Sequence, residues 1–173
     1  NSDVSDENSN NVSNGDDVLT TGGSTDVSDV FSDISKTAWY YTAVQQAYNN
    51  EWFMGTSANK FSPDANMTRG MFVTVLGRFA NATGTPSDRF NDVSSASYYA
   101  GFVAWATENG IVSGVSNDKF SPESDVTREQ LAVMVYNYMK FIKTDLEFIN
   151  NKVDFTDDDK ISVWAKEAVY YMQ

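Results

Sequence analysis

The sequence contains no cysteine and no histidine among its 173 residues. Disulfide bonds, thiolate nucleophiles and histidine-ligated metal sites are therefore excluded. Basic residues are also few, with 12 lysines and arginines against 24 aspartates and glutamates. A net charge of −12 gives no basic surface for nucleic acid, and no apolar run is long enough to cross a membrane.

The negative charge is concentrated at the amino-terminal end. Residues 1–35 carry eight acidic side chains and no basic one, so the rest of the chain has a net charge of only −4, which is −12 minus −8. Residues 1–30 contain no aromatic residue and are rich in Asn, Ser, Asp, Thr and Gly. We therefore expect a disordered acidic linker or tail over 1–30. It lacks the basic and apolar regions of a signal peptide, and we expect it to follow a removed signal or a larger upstream region.

The rest of the chain is built from a repeat with a period of 59 residues. The motif Phe61-Ser-Pro returns as Phe120-Ser-Pro, and each copy continues to a Thr-Arg pair. The register also extends upstream through the pairs Phe31 and Phe90, Asp33 and Asp92, Tyr40 and Tyr99, Val44 and Val103, and Gly55 and Gly114. A fixed period of this length indicates a repeat architecture in which neighbouring copies bury one another's apolar faces.

Each copy predicts a helix, a loop and a second helix. The first helix is indicated by apolar residues at helical spacing from Tyr40 to Tyr48, and again from Tyr99 onward. Thr68 and Thr127 are the expected N-caps of the second helices. Only Thr127 is followed by the Gln of a complete capping box, three residues later.

A third copy begins near Phe155 and continues through Trp164, Ala168 and Val169, which match the first copy from Trp39 to Val44. The sequence ends at Gln173, before a third Gly loop, Phe-Ser-Pro motif or Thr-Arg pair. The predicted units are the linker 1–30, a first repeat 31–82, a second repeat 90–142, a connector 143–154 and a partial third repeat 155–173. All three repeats are predicted to be helical, so the fold class is all-α.

This ordered set of motifs resembles the S-layer homology (SLH) family over roughly residues 31–173. The resemblance implies three helix–loop–helix repeats packed as a bundle around a pseudo-threefold axis. It also implies non-covalent anchoring at the bacterial cell surface to an anionic, often pyruvylated, secondary polymer attached to peptidoglycan. The ligand would lie in grooves between repeats, held by residues matched from the family motif: Arg69, Arg128, Asp33, Asp92, Trp39, Gly55 and Gly114.

The chain departs from the family pattern at several positions. Gly70 and Met71 replace the usual Ala-Glu after the first Thr-Arg pair, and Tyr98 replaces a Trp. The third Thr-Arg motif is absent from the sequence. At most two of the three grooves are therefore complete, and the first has a degenerate motif.

The candidate residues also have structural interpretations. An Arg at a helix start opposes the helix dipole, so Arg69 and Arg128 either bind an acidic ligand or form an internal ion pair, with Asp33 or Asp92 as the obvious partner. The two aspartates are equally suited to cap the following helix. Trp39 either stacks on a sugar or, like Trp105 and Trp164, fills the core.

Neither catalysis nor metal binding has a clear signature. The carboxylates between Asp154 and Asp159 lack the alternating spacing and the Gly of an EF-hand loop, and a run of acids at a helix start is the simpler interpretation. No nucleophile is paired with a base, and no pair of acids is marked as catalytic. We expect no enzyme activity, no metal and no cofactor.

Two functions follow from the sequence. The first is a non-catalytic module that anchors a surface protein to the wall polymer. The second is a structural protein that associates with itself or with neighbouring S-layer subunits in a lattice or filament, because an unfinished repeat leaves an apolar face uncovered.

Overall fold

The computed structural model describes residues 25–143 and 154–172. These residues are helical and contain no named strand, so the predicted all-α class is confirmed. The elements are α1 (Val27–Val30), α2 (Tyr41–Asn49), α3 (Arg69–Phe79), α4 (Ala100–Glu108), α5 (Arg128–Phe141), a 3₁₀ turn (Asp158–Lys160) and α6 (Lys166–Tyr171). Residues 1–24 of the predicted tail and most of the connector lie outside the described residues, and the pseudo-threefold arrangement stays a prediction.

The second helix of each full repeat begins at its predicted cap. The hydroxyl of Thr68 accepts a hydrogen bond from the amide of Met71, and Thr127 forms a complete capping box with Gln130. A cap satisfies amides that would otherwise have no partner in the first helical turn. The Arg that follows each cap is therefore fixed at the start of α3 or α5.

The main core joins α3 of the first repeat to α4 and α5 of the second. Val73, Val103 and Phe120 are almost fully buried in it. Helix α3 approaches α4 through its glycines, because Gly70 lies against the ring of Tyr99 and Gly77 lies against the ring of Phe102. The first repeat therefore contributes its second helix to the core of the second repeat.

The third segment packs on α5 of the second repeat through its helix α6. Ala132 and Tyr136 of α5 form a small cluster with Ala168 of α6. The hydroxyl of Tyr136 donates to Glu167 at 2.7 Å, and its ring lies 4.8 Å from the ring of Tyr171. Helix α6 thus covers α5 as α4 covers α3, although the cluster of buried side chains is smaller.

The folded part begins earlier than the sequence predicted. Residues 27–30, which were assigned to the linker, form α1, and Val27 is fully buried beside Phe31 and Val44. Asp26 caps α1, accepts a hydrogen bond from the hydroxyl of Tyr41 and pairs with Lys36. The acidic composition of residues 1–30 gives no sign of this helix. The helix is held on the first repeat by the burial of Val27 and by the contacts of Asp26.

Across the described ranges, no helix is both long and apolar enough to cross a membrane.

Candidate functional site

The two predicted aspartates hold the Phe-Ser-Pro loops of their own repeats. Asp33 accepts hydrogen bonds from the amides of Phe61 and Ser62, at 3.0 and 2.9 Å. Two bonds of 2.9 and 2.8 Å join Asp92 to the matching amides of the second loop. None of these four bonds caps a helix, so the expected capping role is wrong. Each aspartate instead clamps a loop whose Phe lies 28 residues later in the sequence.

The clamps also account for an unusual backbone conformation. Ser62 and Ser121 have positive φ angles of 62° and 57°, in a region that side chains other than glycine seldom adopt. Burial raises the pKa of Asp33 and of Asp92, but the bonds from the loop amides together outweigh it, so both pKa values lie below the ordinary range. The ionised carboxylates are therefore stabilised in the folded protein.

The two predicted glycines are tightly packed against the same loops. A Cβ at Gly55 would lie 2.5 Å from the ring of Phe31, and φ at this residue is 87°. A Cβ at Gly114 would lie 2.6 Å from the ring of Phe90. The structure gives both glycines a packing role, and their contact with a ligand stays a prediction.

Arg69 is buried in the second repeat rather than displayed in a groove. Only 3% of the residue is exposed. Its Nε donates to the carbonyl of Phe120 at 2.9 Å, and a terminal nitrogen donates to the carbonyl of Ser113 at 3.0 Å. The guanidinium also lies 4.6 Å from the centre of the Phe120 ring. The side chain of Arg69 therefore joins the first repeat to the second, and this contact region is the first junction. The corresponding contact region between the second repeat and the third segment is the second junction.

Arg69 and Asp92 act on the same residue without forming an ion pair with each other. Asp92 binds the amide of Phe120 and Arg69 binds its carbonyl, so both polar groups of this buried peptide segment are satisfied. Burial lowers the pKa of Arg69, and the nearby charge of Asp92 opposes that shift. The predicted Arg–Asp ion pair is therefore wrong for Arg69, because its direct partners within the described residues are the loop carbonyls of Phe120 and Ser113.

The backbone reinforces this junction. The amides of Arg69 and Gly70 donate to the carbonyls of Ser124 and Pro122, at 2.9 and 2.8 Å. The amide of Val126 donates in the opposite direction, to Met67. These bonds use amides at the start of α3, so the loop around Pro122 and Ser124 packs directly on the first turn of this helix.

Arg128 has the same place in its repeat but a different environment. It is exposed, and within the described residues no hydrogen bond or ion pair joins it to Asp33, Asp92 or Trp39. Its neighbour Glu129 makes the local contact instead, accepting hydrogen bonds from the amide and hydroxyl of Ser162 at 2.6 and 3.0 Å. The guanidinium of Arg128 is consequently open to a ligand.

Three aromatic side chains at matching places in the repeats are exposed. The exposed fractions are 93% for Trp39, 61% for Tyr98 and 57% for Trp164. The expectation that Trp39 and Trp164 fill the core is therefore wrong, whereas Trp105 is buried at 9% exposure. Exposed aromatic rings at the start of α2, α4 and α6 offer flat apolar surfaces of the kind on which sugars stack.

Sequence reasoning missed some of the residues that build the junctions. Glu129 and Ser162 were not singled out, and neither was Glu123, which accepts a hydrogen bond from Tyr99 at 2.9 Å. The repeat register offers a signal for one of them, because Glu129 occupies the place of Gly70. In the described part of the chain, no group of three or more acidic residues is arranged to hold a metal ion.

Comparison with protein families decides the identity of these repeats. The S-layer homology domain model matches residues 30–70 and 89–132. The chain belongs to the S-layer homology family. The S-layer homology domain is a non-catalytic anchoring module that binds cell-wall polymers, and it places this chain at the bacterial cell surface.

The similar proteins are much longer than this chain. An endoglucanase from Bacillus sp. (strain KSM-635) is 33% identical over 140 residues, covering 80% of this chain and 15% of the relative. The surface-layer 125 kDa protein of Lysinibacillus sphaericus is 26% identical over 136 residues, covering 78% and 11%. The cellulosome-anchoring protein of Acetivibrio thermocellus is 26% identical over 91 residues, covering 50% and 20%. The chain thus spans a fifth or less of these three proteins.

Proposed function

We propose that this S-layer homology module, without catalysis of its own, anchors its protein to an anionic and pyruvylated secondary polymer of the cell wall. We further propose that Arg128 holds the acidic groups of the polymer. The observation that carries this assignment is the contrast between two equivalent arginines, because Arg69 is buried on loop carbonyls and Arg128 is exposed.

The chemistry of Arg128 suits this role. A guanidinium presents several N–H donors in one plane and binds a carboxylate with two parallel hydrogen bonds. The amides in the first turn of α5 lie beside it, and the positive end of the helix dipole adds to the attraction for an anion. Exposed Trp39 and Tyr98 supply stacking surfaces for the sugar rings.

A sedimentation assay with purified wall sacculi tests the proposal. One sample keeps its secondary polymer, and the other is stripped of it with acid. We expect the wild-type chain to co-sediment only with the polymer-bearing wall, and Arg128→Gln to lose most of this binding. Lys143→Gln is the matched control, because it removes the same charge from an exposed residue beyond the other end of α5.

An equal loss of wall binding in Arg128→Gln and Lys143→Gln would show that only overall charge matters, and full retention of binding by Arg128→Gln would contradict the role of this residue. Trp39→Ala provides an independent check of stacking, since a side chain that is 93% exposed contributes little to the core. We expect this variant to keep the wild-type melting temperature and to bind the wall more weakly. Equal recovery on stripped and unstripped walls would contradict anchoring through the polymer.

Self-association is a second candidate, and one cleft favours it. In the second repeat, Phe102, Phe120 and Pro122 contact α3. The matching residues of the first repeat, Ala43, Phe61 and Pro63, line an apolar cleft of about 320 Å³. A helix of another subunit would fill this cleft as α3 fills its counterpart. Sedimentation velocity over a wide concentration range tests this, and a monomer at every concentration would contradict it.

A further inference from the structure

We propose that a second cleft, around Glu51 and Arg78, binds a neutral sugar unit. The cleft has a volume of about 480 Å³, within the range of about 300–1,000 Å³ that is typical of small-molecule sites. Its lining includes four polar and two apolar side chains: Asn50, Glu51, Arg78, Asn81, Met54 and Phe102. None of these residues belongs to the set that the family motif predicts, so the proposal goes beyond the anchoring role of Arg128.

The two charged side chains of the cleft are available to a ligand. Arg78 lies in the last turn of α3, and Glu51 follows the end of α2. Within the described residues, neither forms an ion pair, and Arg78 makes no side-chain hydrogen bond or ring contact. A guanidinium donor and a carboxylate acceptor therefore face one cleft without being joined to each other.

The backbone at Glu51 has the left-handed conformation with which several helices of this chain end. The φ angle of Glu51 is 59°, and the matching residue of the second repeat is Gly110, with φ 67°. Asn81 after α3 and Lys143 after α5 have the same conformation, with φ angles of 50° and 52°. The ends of α2 and α3 thus place Glu51 and Asn81 together in the lining of the cleft.

The second repeat ends its helices with similar amide contacts but without the two charged side chains. Asn109 matches Asn50, and both amides donate to the helix carbonyl four residues earlier, at 2.8 Å. Asn137 matches Arg78, but its amide donates to the carbonyl of Ile111. The combination of a carboxylate at Glu51 and a guanidinium at Arg78 therefore occurs only in the first of the two repeats. It is not needed to end the helices, because the second repeat ends them without it.

The lining selects a neutral sugar over a charged one. A hydroxyl group donates to a carboxylate and accepts from a guanidinium, so vicinal hydroxyls satisfy Glu51 and Arg78 together. Met54, which is 41% exposed, and Phe102 provide an apolar surface for the C–H face of a pyranose ring. An acidic sugar would meet Arg78 but would be repelled by Glu51.

Titration followed by nuclear magnetic resonance tests this site with two probes, methyl β-D-glucopyranoside and sodium glucuronate. The side-chain amides of Asn50 and Asn81 report on the cleft, and the amide of Asn109 is the control in the matching position. We expect the glucoside to shift the Asn50 and Asn81 signals in the wild-type chain while leaving Asn109 unchanged. Glucuronate should produce no saturable shift.

Two variants sharpen the assignment. Arg78→Gln should raise the dissociation constant for the glucoside by about tenfold or more, as loss of a charged hydrogen bond predicts. Glu51→Gln should weaken glucoside binding and allow glucuronate to bind. Arg128→Gln should leave both titrations unchanged, which separates this cleft from the proposed anchoring site.

Several results would overturn the proposal. They are the absence of a saturable glucoside shift, an equal shift at Asn109, or unaltered binding by Arg78→Gln. Tighter binding of glucuronate than of glucoside by the wild-type chain would contradict the neutral class. The effect of Arg128→Gln on wall binding decides none of these results, because Arg128 does not line this cleft. The cleft proposal and the anchoring proposal are therefore tested independently.

Discussion

The two junctions between successive repeats use equivalent residues for different purposes. At the first junction, Arg69 inserts into the second repeat and binds the carbonyls of Ser113 and Phe120. At the second junction, Glu129 holds Ser162, and Arg128 remains exposed. The same Thr-Arg motif therefore carries a buried arginine at the first junction and an exposed arginine at the second.

The difference separates stability from recognition. A buried charge must be hydrogen-bonded, because its desolvation is otherwise costly, and Arg69 meets this condition with backbone carbonyls alone. An exposed arginine has no such requirement and stays available to an external anion. One motif thus contributes to the fold at one junction and to ligand binding, as we propose, at the other.

The largest expected effect comes from removing the buried arginine. We expect Arg69→Ala to lower the free energy of unfolding by about 3 kcal/mol, because two loop carbonyls lose a charged donor and Phe120 loses its cation contact. Arg128→Ala is the matched control, with an expected change within about 0.5 kcal/mol. Urea unfolding followed by circular dichroism measures both, and similar losses in the two variants would contradict the comparison.

A smaller effect is expected from the aspartate clamps. Asp92→Asn should cost about 2 kcal/mol, since an amide side chain accepts only one of the two loop bonds. Asp33→Asn should cost less, because its loop carries no buried arginine. Thermal unfolding of the two variants tests this order. A larger loss of stability in Asp33→Asn than in Asp92→Asn would contradict it.

The clamps also make part of the stability depend on pH. The pKa of each aspartate is lower in the folded than in the unfolded chain, where it is about 3.9. The contribution to stability is therefore present above about pH 4 and is lost as the pH falls through the folded-state pKa. Unfolding curves measured across this range should converge for Asp92→Asn and the wild type at the acid end.

The smallest of the three effects concerns Gly70, which has Glu129 as its counterpart. A Cβ at Gly70 would lie 2.9 Å from the ring of Tyr99 and 3.1 Å from the carbonyl of Pro122. We expect Gly70→Ala to destabilise the chain by about 1 kcal/mol despite the better helix propensity of alanine. A stabilising effect in urea unfolding would show that Tyr99 moves aside without cost.

The sequence predicted the features that depend on neighbouring residues. Thr68 and Thr127 are N-caps, as expected, because capping requires only the correct side chain at the start of a helix. The buried face of α3 was predicted less well. The helical spacing of apolar residues from Met71 onward predicts a buried stripe that ends at Phe79. Phe79 is nevertheless 47% exposed, whereas Val73 is fully buried. Small residues at Gly70 and Gly77 determine the contact with α4, and they carry no apolar signal.

The candidate site depended on contacts between distant parts of the chain. The acceptors of Arg69 lie 44 and 51 residues away and are backbone carbonyls, which have no sequence signature. The exposure of Trp39 and Trp164 was likewise not readable, because a tryptophan near an amphipathic helix suits both a core and a surface. The repeat register did identify the equivalent arginines, but only their surroundings distinguish a buried one from a free one.

Helix α1 has a mechanical consequence for a protein that is anchored to a wall. Tension applied at the amino-terminal side of the described chain reaches Thr25 and Asp26 first, where Gln45 and Lys36 hold them. Detachment of residues 25–30 would release about 20 Å of extended chain, at about 3.3 Å per residue. The junction made by Arg69 involves none of these residues, so we expect the segment to extend under load before the repeats separate.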